Sequence, residues 1–149
     1  MPLPRSGRAA QHLSAAAMSA LLLASAMKHF RDPGFYRQVV PDYLCRDDGA
    51  APSRPFALLS REEWIAVSGL LELAAAVGIL VPGTRKATAT GTTIMFAAFL
   101  AGHVDALRRA YGPRGTRAQR KVHSVRLPLQ APLIAWAWSL RKPAVGAGL

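Results

Sequence analysis

Four long apolar runs, separated by short stretches that gather the charges, predict four helices. The first, Ala9 to Met27, carries no formal charge and follows Arg5 and Arg8. The second opens at Ser60 and Glu63, spaced as a capping box, and stays apolar to Pro82-Gly83, which reads as its stop. About 20 residues at 1.5 Å each make about 30 Å, the thickness of a bilayer's hydrocarbon core. The third runs from Ala87 to Val104 and must return antiparallel, because Pro82-Gly83-Thr84-Arg85-Lys86 leaves room only for a tight turn. Its Thr88, Gly91, Thr92, Ala98 and Gly102 recur at three- and four-residue spacing, the small-residue face that lets membrane helices approach closely. The fourth, Leu127 to Leu140, is the shortest and contains Pro128 and Pro132; Trp136 and Trp138 near its far end suit a membrane interface. The pattern predicts an all-α, integral membrane four-helix antiparallel bundle, a single domain over 1–149 with spans near 9–29, 62–82, 86–108 and 124–141.

One rival concerns the start. A basic beginning, the apolar AAAMSALLL and the small triplet Ala24-Ser25-Ala26 mimic a cleavable signal peptide. Lys28-His29-Phe30 follows directly and the run is long enough to span, so an uncleaved helix is the preferred reading. The connection from Arg31 to Arg61 carries Pro33, Gly34, Pro41, Pro52 and Pro55 and belongs outside the hydrocarbon, either as an ordered loop over the bundle end or with Phe35-Tyr36 and Val39-Val40-Pro41 lying at the headgroup boundary.

Composition narrows the class. Hydrophobic residues make up 51% of the chain, and the net charge is +11. The Arg and Lys side chains sit in the connections and leave the apolar runs clean, which points to anionic lipid headgroups and argues against nucleic acid. Cys45 is the only cysteine, so neither an intrachain disulfide nor a cysteine metal cluster can form, and no metal site is expected.

Against this apolar background the polar residues inside the runs stand out. Glu72 is the one charge between Trp64 and Pro82, and an ionised carboxylate there costs several kcal/mol unless paired or protonated. Antiparallel spans bring His29, Ser68, Glu72, His103, Arg126 and Gln130 to one side of the membrane. Ser68 and Glu72, like Arg126 and Gln130, are four apart and share a helix face. The short fourth span would draw Arg126 below the headgroups, making it the expected nearest basic group to Glu72, with His29 the alternative. The cluster reads either as a satisfied polar clamp between helices or as a cavity, open to the first and third connections, where Glu72 handles a proton or binds the head of an amphipathic ligand. Haem ligation by His29 and His103 is disfavoured, since two helix ends are a poor place for opposed axial ligands.

These residues resemble the DoxX-like family of small four-helix membrane proteins, from about His29 to Trp136. The resemblance is carried by HFRDPGFYRQVVPDYL (His29, Phe30, Pro33, Tyr36, Val40, Pro41, Leu44), WIAVSGLLE with the later LVPGTR (Trp64, Ser68, Gly69, Glu72, Pro82, Arg85), and RLPLQAPLIAW (Arg126, Pro128, Leu129, Gln130, Trp136). The chain departs from that pattern at Cys45-Arg46, where a further proline is usual, and at His103, where asparagine is common. The resemblance implies a multi-pass protein of the bacterial plasma membrane, related to a subunit of a quinone-linked sulfur oxidoreductase.

Three functions follow. The first is a membrane subunit of a redox complex, with a quinone or proton site on Glu72, His29, Arg126 and Gln130. The chain itself has no flavin, nicotinamide, haem or metal motif, so a partner protein would hold the redox centre and a quinone would be the cofactor class. The second is a non-catalytic scaffold or assembly factor. The third, a small transporter, would need a homo-oligomer to enclose a path. Thirteen Lys and Arg on the side of the two long connections against six on the side of the termini predict cytoplasmic connections.

Overall fold

The computed structural model describes residues 4–46 and 55–142. Pro52, and Arg54 of the charge count, lie outside the described residues. The fold is all-helical: α1 (Pro4–Arg31), α2 (Arg61–Gly78), α3 (Pro82–Ala110) and α4 (Arg117–Ser139), with two short 3₁₀ segments, Pro33–Val39 and Asp42–Leu44, between α1 and α2. Among the described residues the one β-type contact is an isolated bridge between Cys45 and Leu59. It closes the base of the first connection, and Arg46 N donates to Leu59 O at 2.8 Å.

Local chemistry explains where the helices begin. At α2 the Ser60 hydroxyl accepts from Glu63 N at 3.2 Å, while the Glu63 carboxylate accepts from Ser60 N at 2.7 Å. Thr116 and Gln119 form the same reciprocal box at α4, so that helix starts well before its charge-free stretch. Pro82 is not the stop of α2. That helix ends at Gly78, and Pro82 is the first residue of α3, where its missing N–H costs nothing and its φ suits a helix.

What ends α2 is Arg85. Its guanidinium is 6% exposed and donates to Ile79 O at 2.9 Å and Leu80 O at 3.1 Å, answering carbonyls that a helix terminus leaves unpaired. A further contact at 3.2 Å to His12 Nδ1 ties the turn to α1.

The closest helix pairings are α1 with α2 and α3 with α4. The core lies between the pairs, around Met18, Leu22, Ile79, Ala89, Phe96 and Leu140. The small-residue face of α3 is used at its two ends. A Cβ at Gly78 of α2 would stand 2.5 Å from Thr88 Oγ1, and one at Gly102 would stand 2.1 Å from Val39 O. Between those points Gly91, Thr92 and Ala98 line a groove left open between α2 and α3.

The exterior is apolar while several polar groups are inside. Leu70, Leu71, Val77, Ile94, Val125 and Leu129 are exposed, whereas Ser19, His29, Glu72, Arg85, Thr92, His123 and Gln130 are buried. Among the described residues two helices, Gly7–Arg31 and Pro82–Ala110, are long and apolar enough to cross a membrane.

Candidate functional site

All six polar side chains picked out above line one cavity of about 290 Å³ among the four helices. His29 comes from the last turn of α1, Ser68 and Glu72 from one face of α2, His103 from α3, and Arg126 with Gln130 from one face of α4. Leu22, Phe96, Phe99 and Leu133 supply apolar wall.

Glu72 is paired differently from expectation. His29 Nδ1 lies 3.3 Å from Glu72 Oε2, both side chains being about 95% buried, and no ion pair links Arg126 to Glu72. Arg126 instead stacks its guanidinium over the Phe35 ring at 4.1 Å. α4 begins at Arg117, well before its charge-free stretch, and the Phe35 face offers Arg126 a cation–π contact in place of the carboxylate.

His29 is held by two contacts of its own. Its Nδ1 lies 2.9 Å from Ser25 O, four residues back, and its ring stacks on Tyr36 at 3.6 Å between centroids. With the Nδ1 proton directed at Ser25 O, the 3.3 Å approach to Glu72 is a close contact and not a hydrogen bond. Glu72 Oε2 is accordingly left without a hydrogen-bond partner. Ser25 and Tyr36 were not singled out by their sequence alone. The i, i+4 spacing of Ser25 and His29 on a helix was the available signal. The Tyr36 hydroxyl lies 3.1 Å from Ser25 Oγ, and burial, reinforced by the negative charge of Glu72, keeps its phenol above the ordinary tyrosine range.

The opposite wall carries a second pair. Gln130 Nε2 is 2.9 Å from His103 Nε2, an amide donating to an imidazole nitrogen, which puts the ring proton on Nδ1. Neither His103 Nδ1 nor Gln130 Oε1 has a partner. Three buried polar atoms without hydrogen-bond partners therefore belong to residues lining one cavity: a carboxyl oxygen, an imidazole N–H and an amide oxygen. Leaving such a buried group unsatisfied costs about 1–3 kcal/mol, so the set is better suited to a polar guest than to an empty core. It fits a small molecule that both accepts and donates hydrogen bonds.

The first connection contributes to the wall of this cavity. Tyr36, Val39 and Val40 form part of the lining. The segment is strapped on both sides. Arg61 of α2 donates to Arg37 O and Val40 O, both at 2.7 Å, and bridges to Asp42. Arg109 of α3 donates to Gln38 O at 2.7 Å, and Gln38 Oε1 lies 3.1 Å from His123 Nε2 of α4. Lys28, stacked 4.3 Å over Phe35, adds a contact from α1.

Beside the cavity, the groove between α2 and α3 encloses about 660 Å³ with mostly apolar walls, including Trp64, Leu71, Ile94 and Met95. Val39, Val40, Ser68 and Phe99 line both spaces.

Residues 18–141 match the model of the family described as "Domain of unknown function (DUF8561)", and the chain belongs to that family. No curated protein and no solved structure matches the chain.

Proposed function

We propose that the protein is a multi-pass membrane protein of the cell membrane whose Glu72 cavity binds the polar head of a lipid-soluble molecule of the quinone class, and that it serves as an accessory subunit of a redox complex. The observation that carries the reading is that Glu72 Oε2, His103 Nδ1 and Gln130 Oε1, all buried and without a hydrogen-bond partner, belong to residues lining one cavity whose other walls are mostly apolar. The inverted surface supports the membrane part. Leucines and valines on the outside with Glu72, His29 and Gln130 inside are what a lipid environment selects. α1 and α3 are long enough to cross, and in this reading α2 and α4 cross with them in antiparallel order. The likeness to DoxX-like proteins adds the redox association. A quinone bound here would supply the electron-carrying chemistry. This chain's own part is to orient the head through the His103 Nδ1–H that Gln130 holds in place, to hold a proton at Glu72, and to exclude water with the strapped Tyr36 segment.

A second reading, a structural scaffold, draws on the same pairs. His29 with Glu72 joins α1 to α2, and Gln130 with His103 joins α4 to α3, so each contact also fixes a helix pair. Purification in mild detergent, with organic extraction and mass spectrometry of what comes along, separates the two. The quinone reading expects a quinone and a redox-active partner protein. Folded, pure protein that yields ordinary phospholipid alone and no redox partner favours the scaffold.

A further inference from the structure

The Glu72 cavity is too small to hold a long hydrocarbon chain, and its connection-side wall is formed by the segment that Arg61 and Arg109 strap down. A membrane-soluble ligand therefore needs another way in and a place for its tail. The α2–α3 groove offers both. It is more than twice as large as the cavity, it has mostly apolar walls, and it abuts the cavity at Ser68 and Phe99. Its floor is kept low by small residues. A Cβ added at Gly91 would meet nothing within 4 Å. The two helices touch closely near Gly78 and Thr88, while at the other end Val39 packs onto Gly102, so the groove is bounded at both ends and open sideways.

Resting on the quinone-class reading above, we infer that the α2–α3 groove takes the hydrocarbon tail of the ligand whose head lies at Glu72, and that the ligand reaches the site sideways from the lipid. The two volumes, about 290 and about 660 Å³, match a compact polar head and an extended apolar chain. Ser68, whose hydroxyl is turned back onto Trp64 O at 2.8 Å, presents little unsatisfied polarity at the passage between them.

The test compares a benzoquinone bearing a decyl tail with the same head bearing only a methyl group. Each is equilibrated with the full chain in nanodiscs and quantified by absorbance after extraction, with empty nanodiscs subtracted. Gly91→Leu and Ala98→Leu fill the groove, and both place a strong helix former on an open helix face. Ala97→Leu, on the same helix but outside the groove lining, is the control. The expected result is at least a tenfold loss of affinity for the decyl quinone in both groove variants, unchanged affinity for the methyl quinone, and no effect of Ala97→Leu. Unchanged decyl binding in folded groove variants overturns the tail assignment and leaves the head site standing. Equal loss of both quinones also overturns the tail assignment, since the groove variants then act on the head and not on the tail. If the unaltered chain binds neither quinone, the Glu72 reading fails and the tail assignment falls with it.

Discussion

Gly102→Ala places a single methyl group where α3 passes under the first connection, and its effect can be worked from the geometry. The new Cβ would lie 2.1 Å from Val39 O, about 1.3 Å short of the 3.4 Å at which ordinary contact begins. The obstacle is a backbone carbonyl, so no side-chain rotation relieves it. Either the Val39–Pro41 segment lifts, stretching the Arg61 bond to Val40 O and the Arg109 bond to Gln38 O, or α3 shifts against α4. Overpacking of this kind costs about 1–3 kcal/mol. Alanine also gains about 1 kcal/mol of helix propensity over glycine, which would blur the measurement if Gly102→Ala were read alone. Gly91→Ala cancels it. It is the same exchange in the same helix with nothing within 4 Å of the added atom. Gly91→Ala should therefore stabilise by about 1 kcal/mol, and Gly102→Ala should lie about 1–3 kcal/mol below it. Equilibrium unfolding of both variants in the same detergent gives the difference. Limited proteolysis of the first connection then tests the cause, with faster cleavage expected in Gly102→Ala alone. Equal stability of the two variants with unchanged proteolysis would refute the close packing of Val39 on α3.

Other consequences are checked more simply. Arg85→Met keeps the apolar stem but leaves Ile79 O and Leu80 O without their charged donor, so a loss of about 2–3 kcal/mol is expected in denaturant unfolding, far above the effect of Lys86→Met on the exposed side of the same turn. The raised Tyr36 phenol means that its stabilising contribution is complete below the ordinary tyrosine pKa and is lost as pH rises through and above it; alkaline titration of tyrosine absorbance should show one late-ionising group that Tyr36→Phe removes. For orientation, Ala118→Cys and Gly83→Cys in a Cys45→Ser background place single thiols at exposed positions on opposite ends of the bundle. Cytoplasmic connections predict that a membrane-impermeant reagent labels position 83 and spares position 118 in intact cells, and the opposite pattern reverses the topology.

The all-helical fold was legible because charge-free runs and a capping box are local signals. The ends of the helices were less so. Pro82-Gly83 has the look of a helix stop, yet the proline serves better as the first residue of α3, and the real terminus of α2 depends on Arg85 reaching back to carbonyls at 79 and 80. The start of α4 could have been read from Thr116 and Gln119, the same spacing as Ser60 and Glu63; measuring the span by charge alone hid it. The partner of Glu72 was not legible either: Arg126 was the expected one, whereas Arg126 goes to the Phe35 ring of the first connection and the contact falls to His29. The convergence of His29, Ser68, Glu72, His103, Arg126 and Gln130 follows from antiparallel helices alone. The role of Tyr36 does not. It depends on the first connection folding back across the bundle, a tertiary event set by Arg61 and Arg109 at long sequence range.

The account turns on whether the unpaired atoms around Glu72 hold a ligand or merely brace the helices, and Glu72→Gln separates the two. The exchange keeps the side chain's shape and removes its charge and its capacity to hold a proton. Folding stability is measured beside binding, because the exchange also alters the 3.3 Å contact of Glu72 with His29. Quinone retained per folded chain, measured side by side in the unaltered protein and in Glu72→Gln after identical purification, should fall at least tenfold. Unchanged retention with unchanged stability would contradict the assignment of the head site to Glu72, and a collapse of folded yield with no quinone in either protein would show the cluster to be a brace.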